Sequence, residues 1–423
     1  MKGAILAVGN ELVEGRVLNR TSFLAARTLL LNGYETAEIV TIPDDHELIE
    51  RYLNNFLKRY QFLIISGGLG PTTDDITNEA VAKALGRPLV RHEDMVARIK
   101  ARERAQGLSH NPLRLKMAEL PQGAELLTYD HAIAGYYLRA NDKLIFCLPG
   151  VPEEFELLLE SRVIPLLKKL LPTDKYFLSR VFKVFGLREA DINLALECLL
   201  HKENIKIGFY PALPEIHISL LVWDSSFDTA QALFMEVSAK IEKTLGPNIF
   251  GHDEDVLESV VGKLLNAKGE TLAVAESCTG GLIASRLTRI PGSSAYFERG
   301  VVTYSNRAKI EILGVPEEAI NRHGAVSKPV ALAMAEGVRK LSGTTYGIGV
   351  TGIAGPTGGS AQKPVGTVWI GFSCPEDTVA QCFLFPGERH LVQDYAASTA
   401  LDWLRRYLTY GTLVPSYQFP CKS

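Results

Sequence analysis

The chain has 423 residues, of which 46% are hydrophobic and 22% charged, a composition that excludes a wholly disordered protein. Its 45 Lys and Arg residues against 48 Asp and Glu give a net charge of −3, so no overall basic field points to nucleic acid or to an anionic membrane. No apolar run reaches the ~18–20 residues that span a bilayer, and the first apolar segment is too short for a signal peptide. The length predicts about two to four domains.

The six cysteines, at positions 147, 198, 278, 374, 382 and 421, form no CxxC pair. This spacing argues against a zinc site and against a disulfide scaffold, and it favours a reducing compartment. We therefore expect a cytoplasmic protein.

The first part of the chain, residues 1–171, alternates strand and helix patterns. Strands are predicted at 4–8, 35–42, 62–66 and 144–148, and helices at 19–31, 46–60, 74–85 and 153–171. Thr72 or Thr73 is the expected cap of the third helix, and Pro165 is expected to kink the last. This order predicts a mostly parallel sheet with helices on both faces.

Two further domains follow. Residues 172–250 are predicted to form a small α+β domain, which carries no chemical motif and suggests a structural or positioning role. Residues 251–423 alternate strands and helices again, which predicts a third domain of α/β type. The expected fold class is thus an α/β multidomain protein.

A glycine loop with paired aspartates is the first motif that points to chemistry. The apolar strand at 62–66 runs into Gly67-Gly68-Leu69-Gly70-Pro71-Thr72-Thr73-Asp74-Asp75. A strand followed by glycines and a helix presents backbone N–H groups to phosphate, although this loop is neither a P-loop nor a GxGxxG motif. Asp74 and Asp75 either cap the helix or hold a divalent cation at the phosphates. Two other glycine loops, at 9–15 and 149–153, are expected at the same sheet edge.

Residues 1–170 resemble the molybdopterin-binding fold, and the loop at 67–77 together with residues 148–153 resembles the amino-terminal domain of the CinA family. The resemblance implies metal-dependent hydrolysis of ADP-ribose, with Asp75 at the catalytic acidic position and Asp74 and Asp75 as ligands of a divalent metal. Asn10 departs from the family, which usually has Asp there, and a neutral side chain is a weaker metal ligand. The expected substrate contacts in this domain are Gly67, Gly68, Gly70, Thr72 and Gly150.

A serine at a strand-to-helix turn is the second motif. Ser277 lies between a strand at 271–275 and a helix at 282–288, at the positive end of the helix dipole and beside glycines that leave room for an oxyanion. The alternative is an ordinary helix cap. Tyr304 and Lys309 follow the next strand, and either could serve as the base that a Ser nucleophile needs. The neighbouring Cys278 is an alternative nucleophile.

A third glycine loop and several basic residues accompany this serine. The strand and loop at 347–356 suit a phosphate, and Lys363 and Arg389 could add contacts to it.

Residues 254–410 closely resemble the CinA carboxyl-terminal domain, on the segments 275–281, 303–306, 324–327 and 351–356. The resemblance implies a nicotinamide-mononucleotide amidase that releases nicotinate mononucleotide and ammonia and needs no cofactor. It places the nucleophile on Ser277, the basic pair on Tyr304 and Lys309, and substrate contacts on Thr351 and Arg389. The full set of expected contacts is Glu276, Thr279, Gly280, Thr351, Gly352, Ala354, Gly355 and Arg389.

The alternative function is a nucleotide- or molybdopterin-binding regulatory protein linked to competence or DNA damage. The expected partners are nicotinamide mononucleotide and ADP-ribose, with neither nucleic acid nor membrane. The high apolar content is also compatible with a homodimer.

Overall fold

A computed structural model describes residues 1–109, 111–127, 135–419 and 421. The chain divides into two compact units, one formed by residues 1–178 and 223–231, the other by residues 179–222 and 232–423. Strands and helices alternate along both, which confirms the mixed α/β class. Within the described residues, no helix is long and apolar enough to cross a bilayer.

The first unit is organised around a largely parallel sheet. Its strands are β1 (Lys2–Val8), β2 (Glu35–Ile42), β3 (Phe62–Ser66), β4 (Leu89–Arg91), β5 (Glu119–Pro121), β6 (Glu125–Leu126), β7 (Tyr136–Ala140) and β8 (Lys143–Leu148). The main sheet has the order β2-β1-β3-β8-β7-β6, and β4 pairs with β5. Strands β2, β1, β3 and β8 run parallel, so their carboxyl ends meet at one edge. The glycine loops therefore leave the sheet from the same side.

Helices cover both faces of this sheet. They are α1 (Asn10–Val13), α2 (Arg20–Leu31), α3 (His46–Arg59), α4 (Thr77–Ala84), α5 (Glu93–Ala105), α6 (Pro152–Leu158) and α7 (Ile164–Leu170). Neighbouring residues of β1 belong to separate apolar clusters, Leu6 to one and Ile5 to the other. Successive side chains of a strand point to opposite faces, so the sheet is buried on both sides.

Two helices of the first unit differ from the helices predicted from the sequence. The helix expected at 74–85 begins only at Thr77, so neither Thr72 nor Thr73 caps it. Asp75 instead accepts hydrogen bonds from the backbone N–H of Thr72, at 2.8 Å, and from its hydroxyl, which closes a turn. The helix expected at 153–171 contains a π-helical turn, Leu159–Val163, which directly precedes Pro165 at the start of α7.

A small α+β segment follows. It consists of β9 (Tyr176–Val184), α8 (Glu189–Ala195), α9 (Glu197–Leu200), β10 (Ile205–Ala212), β11 (Glu215–Asp224), α10 (Phe227–Leu245) and β12 (Ile249–His252). The strand order is β10-β11-β9-β12, and β10 and β11 form an antiparallel hairpin.

The last part of the second unit contains a mixed sheet. Its elements are α11 (Leu257–Lys268), β13 (Leu272–Glu276), α12 (Leu282–Thr288), β14 (Phe297–Val302), α13 (Asn306–Leu313), α14 (Glu317–His323), α15 (Lys328–Ser342), β15 (Tyr346–Gly352), β16 (Thr367–Ser373), β17 (Thr378–Leu384) and α16 (Arg389–Tyr410). The order is β14-β13-β15-β16-β17, in which β14, β13 and β15 are parallel and the last two antiparallel. Helix α15 lies close against the sheet, since a Cβ on Gly347 would come within 2.2 Å of the Ala335 carbonyl oxygen.

Helix α16 buries a carboxylate between two guanidinium groups. Asp402 accepts hydrogen bonds from Arg405 Nε at 2.7 Å and from Arg406 Nε at 2.6 Å. Arg406 also donates to the Asn248 side chain at 2.9 Å, and Arg405 donates to the Pro247 carbonyl. These bonds fasten α16 to the end of the α+β segment.

The carboxyl-terminal tail returns along β17. The Leu384 N–H donates to the Phe419 carbonyl at 3.0 Å, and the Cys421 N–H donates to the Cys382 carbonyl at 3.2 Å. A disulfide joins Cys382 and Cys421. Cysteine spacing alone argued against disulfides, but it does not reveal that the tail brings residue 421 back to this strand.

Candidate functional site

The carboxyl ends of the three parallel strands position the serine in the second unit. Glu276, the last residue of β13, pairs with Val302 of β14 on one side and with Val350 of β15 on the other. Ser277 follows immediately, and its N–H donates to the Val350 carbonyl at 2.9 Å. The serine is therefore fixed at the sheet edge, with only 8% of its surface exposed.

Lys309 is the residue that faces this serine. It lies on α13, whose first turn is capped by the Ser305 hydroxyl, and it is only 2% exposed. Its Nζ lies 2.9 Å from Ser277 Oγ, 2.8 Å from the Thr303 carbonyl oxygen and 3.2 Å from the Tyr304 carbonyl oxygen. The two groups that the sequence paired, Ser277 and Lys309, are thus in direct contact.

Lys309 Nζ donates to Ser277 Oγ and to both carbonyl oxygens, an arrangement compatible with an ammonium group and with a neutral amine. In the unprotonated form, two N–H groups serve the carbonyls and the lone pair is free to accept the Ser277 hydroxyl proton. Burial lowers the pKa of Lys309, and a smaller interaction with Cys278 opposes this shift. Desolvation disfavours the ammonium form. Lys309 therefore has both the position and the altered basicity of a general base.

Cys278, the alternative nucleophile, is not activated by its surroundings. It is buried, and burial raises the pKa of its thiol to about 12. A thiol that stays protonated at neutral pH is a poor nucleophile. The geometry favours Ser277 over Cys278.

Tyr304 lies at the rim of the cleft rather than at the serine. Its side chain is 62% exposed, and its hydroxyl oxygen accepts a hydrogen bond from Arg389 Nη2 at 3.0 Å. Arg389 Nη1 donates to the Gly355 carbonyl at 2.7 Å. The contact of Tyr304 with Lys309 is made by its backbone carbonyl, so of the two candidate bases only Lys309 reaches Ser277 through its side chain.

Glu276 holds the loop that carries the serine. It was expected to contact substrate, but it is 1% exposed, and its carboxylate accepts the N–H groups of Gly281, Ile283 and Ala284 at 2.9–3.2 Å. From the other side, Gln393 on α16 donates to the Cys278 carbonyl at 2.7 Å. Sequence reasoning missed Gln393, although it lies one helical turn after Arg389.

A cleft of about 230 Å³ opens above Ser277. Its lining residues are Ser277, Cys278, Tyr304, Asn306, Lys309, Ala325, Val326, Thr351, Gly352, Ala354 and Arg389. Of the expected contacts, Glu276, Thr279, Gly280 and Gly355 are not among the lining residues. Thr351 does line the cleft, but its hydroxyl donates to the Ala325 carbonyl at 2.9 Å and so stabilises the wall of the cleft. Lys363, expected near phosphate, instead donates to the carbonyls of His323 and Val326 at 2.8 Å.

The first unit contains a larger cavity, of about 610 Å³, at the carboxyl edge of its sheet. The three glycine loops expected there all line it, through residues 9, 11 and 12, residues 67–70 and residues 149–151. Gly67 has a φ of +100°, and a Cβ on it would come within 2.2 Å of the Val8 carbonyl oxygen. Only glycine lets these two loops approach so closely.

Acidic side chains surround this cavity, and one of them was not expected. Asp44 lines it together with Glu11, Asp74, Asp75 and Glu154. Burial raises the pKa of Asp44, the Asn10 N–H lowers it, and repulsion from the nearby carboxylates raises it further. Asn10 itself does not line the cavity, because its backbone N–H donates to Asp44 at 2.9 Å and its side-chain oxygen accepts the Asp44 N–H at 3.3 Å. Although Asn10 replaces the Asp that the family usually has, the Asp44 carboxylate lies beside it at the edge of the cavity.

The residues present do not form a ready-made metal site. Within the described ranges, no group of three or more His, Cys, Asp or Glu side chains is arranged to hold a metal. Asp75 uses one carboxylate oxygen on the N–H and hydroxyl of Thr72. Thr72 is also absent from the cavity lining, whereas Gly67, Gly68, Gly70 and Gly150 are present.

Comparison with known families covers nearly the whole chain. A probable molybdopterin binding domain matches residues 4–169, the damage-inducible protein CinA KH domain matches residues 179–251, and the CinA C-terminal domain matches residues 254–408. A crystal structure of competence/damage inducible protein CihA from Agrobacterium tumefaciens is 41% identical and covers 35% of this chain and 91% of that one, with a TM-score of 0.35.

Full-length relatives are also similar. A CinA-like protein of Desulfotalea psychrophila is 43% identical over 408 residues, which is 96% of this chain and 98% of the relative. A CinA-like protein of Syntrophus aciditrophicus is 41% identical over 416 residues, 97% of this chain and 99% of the relative. Similarity at this level over almost the entire length, together with the three family matches in order, means that the chain belongs to the CinA family.

Proposed function

We propose that the second unit is an amidase that hydrolyses the carboxamide of nicotinamide mononucleotide to nicotinate mononucleotide and ammonia. The observation that carries this proposal is the contact between Lys309 Nζ and Ser277 Oγ, at 2.9 Å, with two backbone carbonyl oxygens beside the same Nζ. A serine with a desolvated amine base and no histidine is suited to acyl transfer.

The reaction follows from these positions. Lys309 Nζ takes the Ser277 hydroxyl proton while Oγ bonds to the carboxamide carbon. The oxygen of that carbonyl becomes an oxyanion, for which the Cys278 and Thr279 N–H groups are the candidate donors, because Gly280 N–H donates to the Ser277 carbonyl at 3.2 Å. The carbon–nitrogen bond then breaks, and ammonia leaves with the proton from Lys309. Water then attacks the ester carbon and gives a proton to Lys309, which passes it to Ser277 Oγ as the carbon–oxygen bond breaks and the acid is released.

Arg389 is the group best suited to the substrate's phosphate. Its guanidinium lines the cleft and is held at the rim by Gly355 and Tyr304. Guanidinium groups bind phosphate through two parallel hydrogen bonds. The positive pyridinium ring of the substrate makes its carboxamide carbon more electrophilic, so this amide is a favourable target.

Ammonia release from nicotinamide mononucleotide by the full chain tests this proposal. We expect turnover in the wild type that EDTA does not reduce, because Ser–Lys chemistry needs no metal. Ser277→Ala should lose activity by several orders of magnitude. The matched control Cys278→Ala should retain most of it. An active Ser277→Ala variant beside an inactive Cys278→Ala variant would contradict the assignment.

For the first unit we propose nucleotide binding with hydrolysis of the ADP-ribose pyrophosphate, as a second function in the same cytoplasmic protein. What favours it is the cavity of about 610 Å³ at the sheet edge, where glycine loops and carboxylates meet. Parallel sheets of this kind bind ligands at such edges. Asp44, Asp74 and Asp75 are the residues that would supply oxygen ligands if a divalent cation accompanies the substrate.

AMP release from ADP-ribose, with added Mg²⁺ or Mn²⁺ and again with EDTA, tests this second function. We expect hydrolysis only in the presence of metal, and loss of hydrolysis but not of ammonia release in Asp75→Ala. If metal-supplemented protein leaves ADP-ribose intact while deamidating nicotinamide mononucleotide, the first unit is a binding module and this second function is wrong.

A further inference from the structure

A second, smaller cavity adjoins the first one in the same unit. It has a volume of about 260 Å³ and is lined by Pro71, Ile99, Arg102, Glu103, Gln106, Leu108, Arg114 and Met117. Arg102 of α5 and Met117 also line the first cavity. Arg102 therefore lies on the wall that the two cavities share.

The guanidinium of Arg102 lacks a partner for one of its nitrogens. Its Nη1 is buried and makes no hydrogen bond to any part of the chain that the structure describes. The nearest acid in sequence, Glu103, is engaged by Arg114 Nη1 at 3.0 Å and by the Asn111 N–H at 3.2 Å. Arginine stays charged in proteins, and a buried charged donor without an acceptor is costly. Because Arg102 lines both cavities, an acceptor on a bound ligand can serve its guanidinium.

The glycine loop that lines the first cavity supplies further donors. The glycine loop after β3 lines the first cavity, and within the described residues the backbone N–H groups of Gly68, Leu69 and Gly70 make no hydrogen bonds. Loop N–H groups of this kind bind one phosphate. A guanidinium that lines the same cavity can bind a second.

We infer that Arg102 is an anion subsite of the first cavity, which receives the second phosphate of a bound nucleoside diphosphate while the glycine loop holds the other. This inference rests on the nucleotide binding proposed for the first unit, but not on hydrolysis. Arg102 thereby selects diphosphates over monophosphates.

Calorimetric titration of the full chain with ADP, AMP and ADP-ribose, at fixed ionic strength and with EDTA present, tests the inference. Wild-type protein should bind ADP and ADP-ribose more tightly than AMP. Loss of a hydrogen bond to a charged group predicts that Arg102→Met weakens ADP binding by about tenfold or more, with little change for AMP. Arg102→Lys should restore part of the difference between ADP and AMP affinity. If the Met variant does not fold, the Lys variant is compared with the wild type in its place.

Arg98→Met is the matched control. Arg98 lies one turn earlier on the same helix, is exposed and lines neither cavity, so this variant makes the same charge change without the subsite. It should bind ADP like the wild type.

Three outcomes would overturn the inference: equal ADP affinity in Arg102→Met and wild type, the same loss in Arg98→Met, or wild-type protein that binds neither ADP nor ADP-ribose. A different result would separate the two proposals. If ADP-ribose binds in an Arg102-dependent way but is not hydrolysed when metal is present, the proposed hydrolysis is wrong and the proposed subsite is still supported.

Discussion

The burial of Lys309, the proposed base, has a cost to stability. Its Nζ is enclosed by Ser277 and two carbonyls, and burial lowers its pKa. An unfolded chain returns the amine to water, where its pKa is about 10.4. Between the lowered pKa and that value, the unfolded state binds more protons than the folded state, so the free energy of unfolding rises with pH.

This linkage gives a prediction for Lys309→Met. The stability of the wild type should increase with pH relative to that of the variant, because the variant has no amine to deprotonate on folding. Urea unfolding of both proteins between pH 7 and pH 10 measures the difference. Parallel pH profiles of the two proteins would show that Lys309 is not held in its neutral form. Ammonia release by the wild type should fall at lower pH, as Lys309 becomes protonated.

The turn between β13 and α12 is the element on which the proposed chemistry depends. Glu276 accepts three backbone N–H groups at the start of α12, and Gln393 holds the Cys278 carbonyl from α16. The Ser277 backbone lies between these two anchors. The loop is therefore positioned by side chains that do not line the cleft.

We expect Glu276→Gln to lower kcat for ammonia release by about tenfold or more with little change in KM, since an amide places N–H groups against backbone donors and displaces the loop. Steady-state kinetics with thermal melting measures both effects. Glu258→Gln is the matched control, because Glu258 pairs with Arg286 at 2.8 Å and does not touch the loop. A rise in KM alone would instead mean that Glu276 acts on substrate binding.

Among the helices and strands, the sequence predicted the presence of each element better than its first and last residues. Strand Phe62–Ser66 and helix Leu282–Thr288 appear as predicted, because a continuous apolar run and a glycine-bounded helix are local signals. The late start of α4 depends on the Asp75–Thr72 turn, which competes with helix formation.

Long-range contacts account for the site residues that the sequence could not place. The glycines of β15 were assigned to phosphate, but Gly347 and Gly349 make room for α15. Asp44 and Gln393 reach their sites from elements distant in sequence, and neither belongs to a recognisable motif. The pairing of Ser277 with Lys309 was accessible because both residues follow strands that end at one edge.

At the scale of the molecule, the α+β segment and the last sheet are not independent within the second unit. Arg405 and Arg406 of α16 donate to the Pro247 carbonyl and to Asn248, and Tyr417 donates to Asp402 at 3.0 Å. A cut near residue 251, which the predicted domain boundary suggests, would remove the Pro247 and Asn248 acceptors of these guanidinium groups and leave them with Asp402.

We therefore predict that a fragment of residues 179–423 melts at a higher temperature than a fragment of residues 251–423. Loss of a hydrogen bond from a charged group costs about 1.5–3 kcal/mol, which corresponds to several degrees in a domain of this size. Differential scanning calorimetry of the two fragments, with ammonia release as a check on the fold, measures this. Equal melting temperatures would show that the contacts to residues 247–249 contribute little.

The return of the tail along β17 has a consequence for behaviour in concentrated solution. Strand β17 is the last strand of its sheet, and the Phe419 and Cys421 main chain occupies hydrogen-bonding positions on its free side. Without the tail, that side would offer a row of unsatisfied peptide groups to any other extended chain. The segment thus protects the protein from intermolecular strand addition, and its removal should appear first as concentration-dependent self-association, before any loss of catalysis.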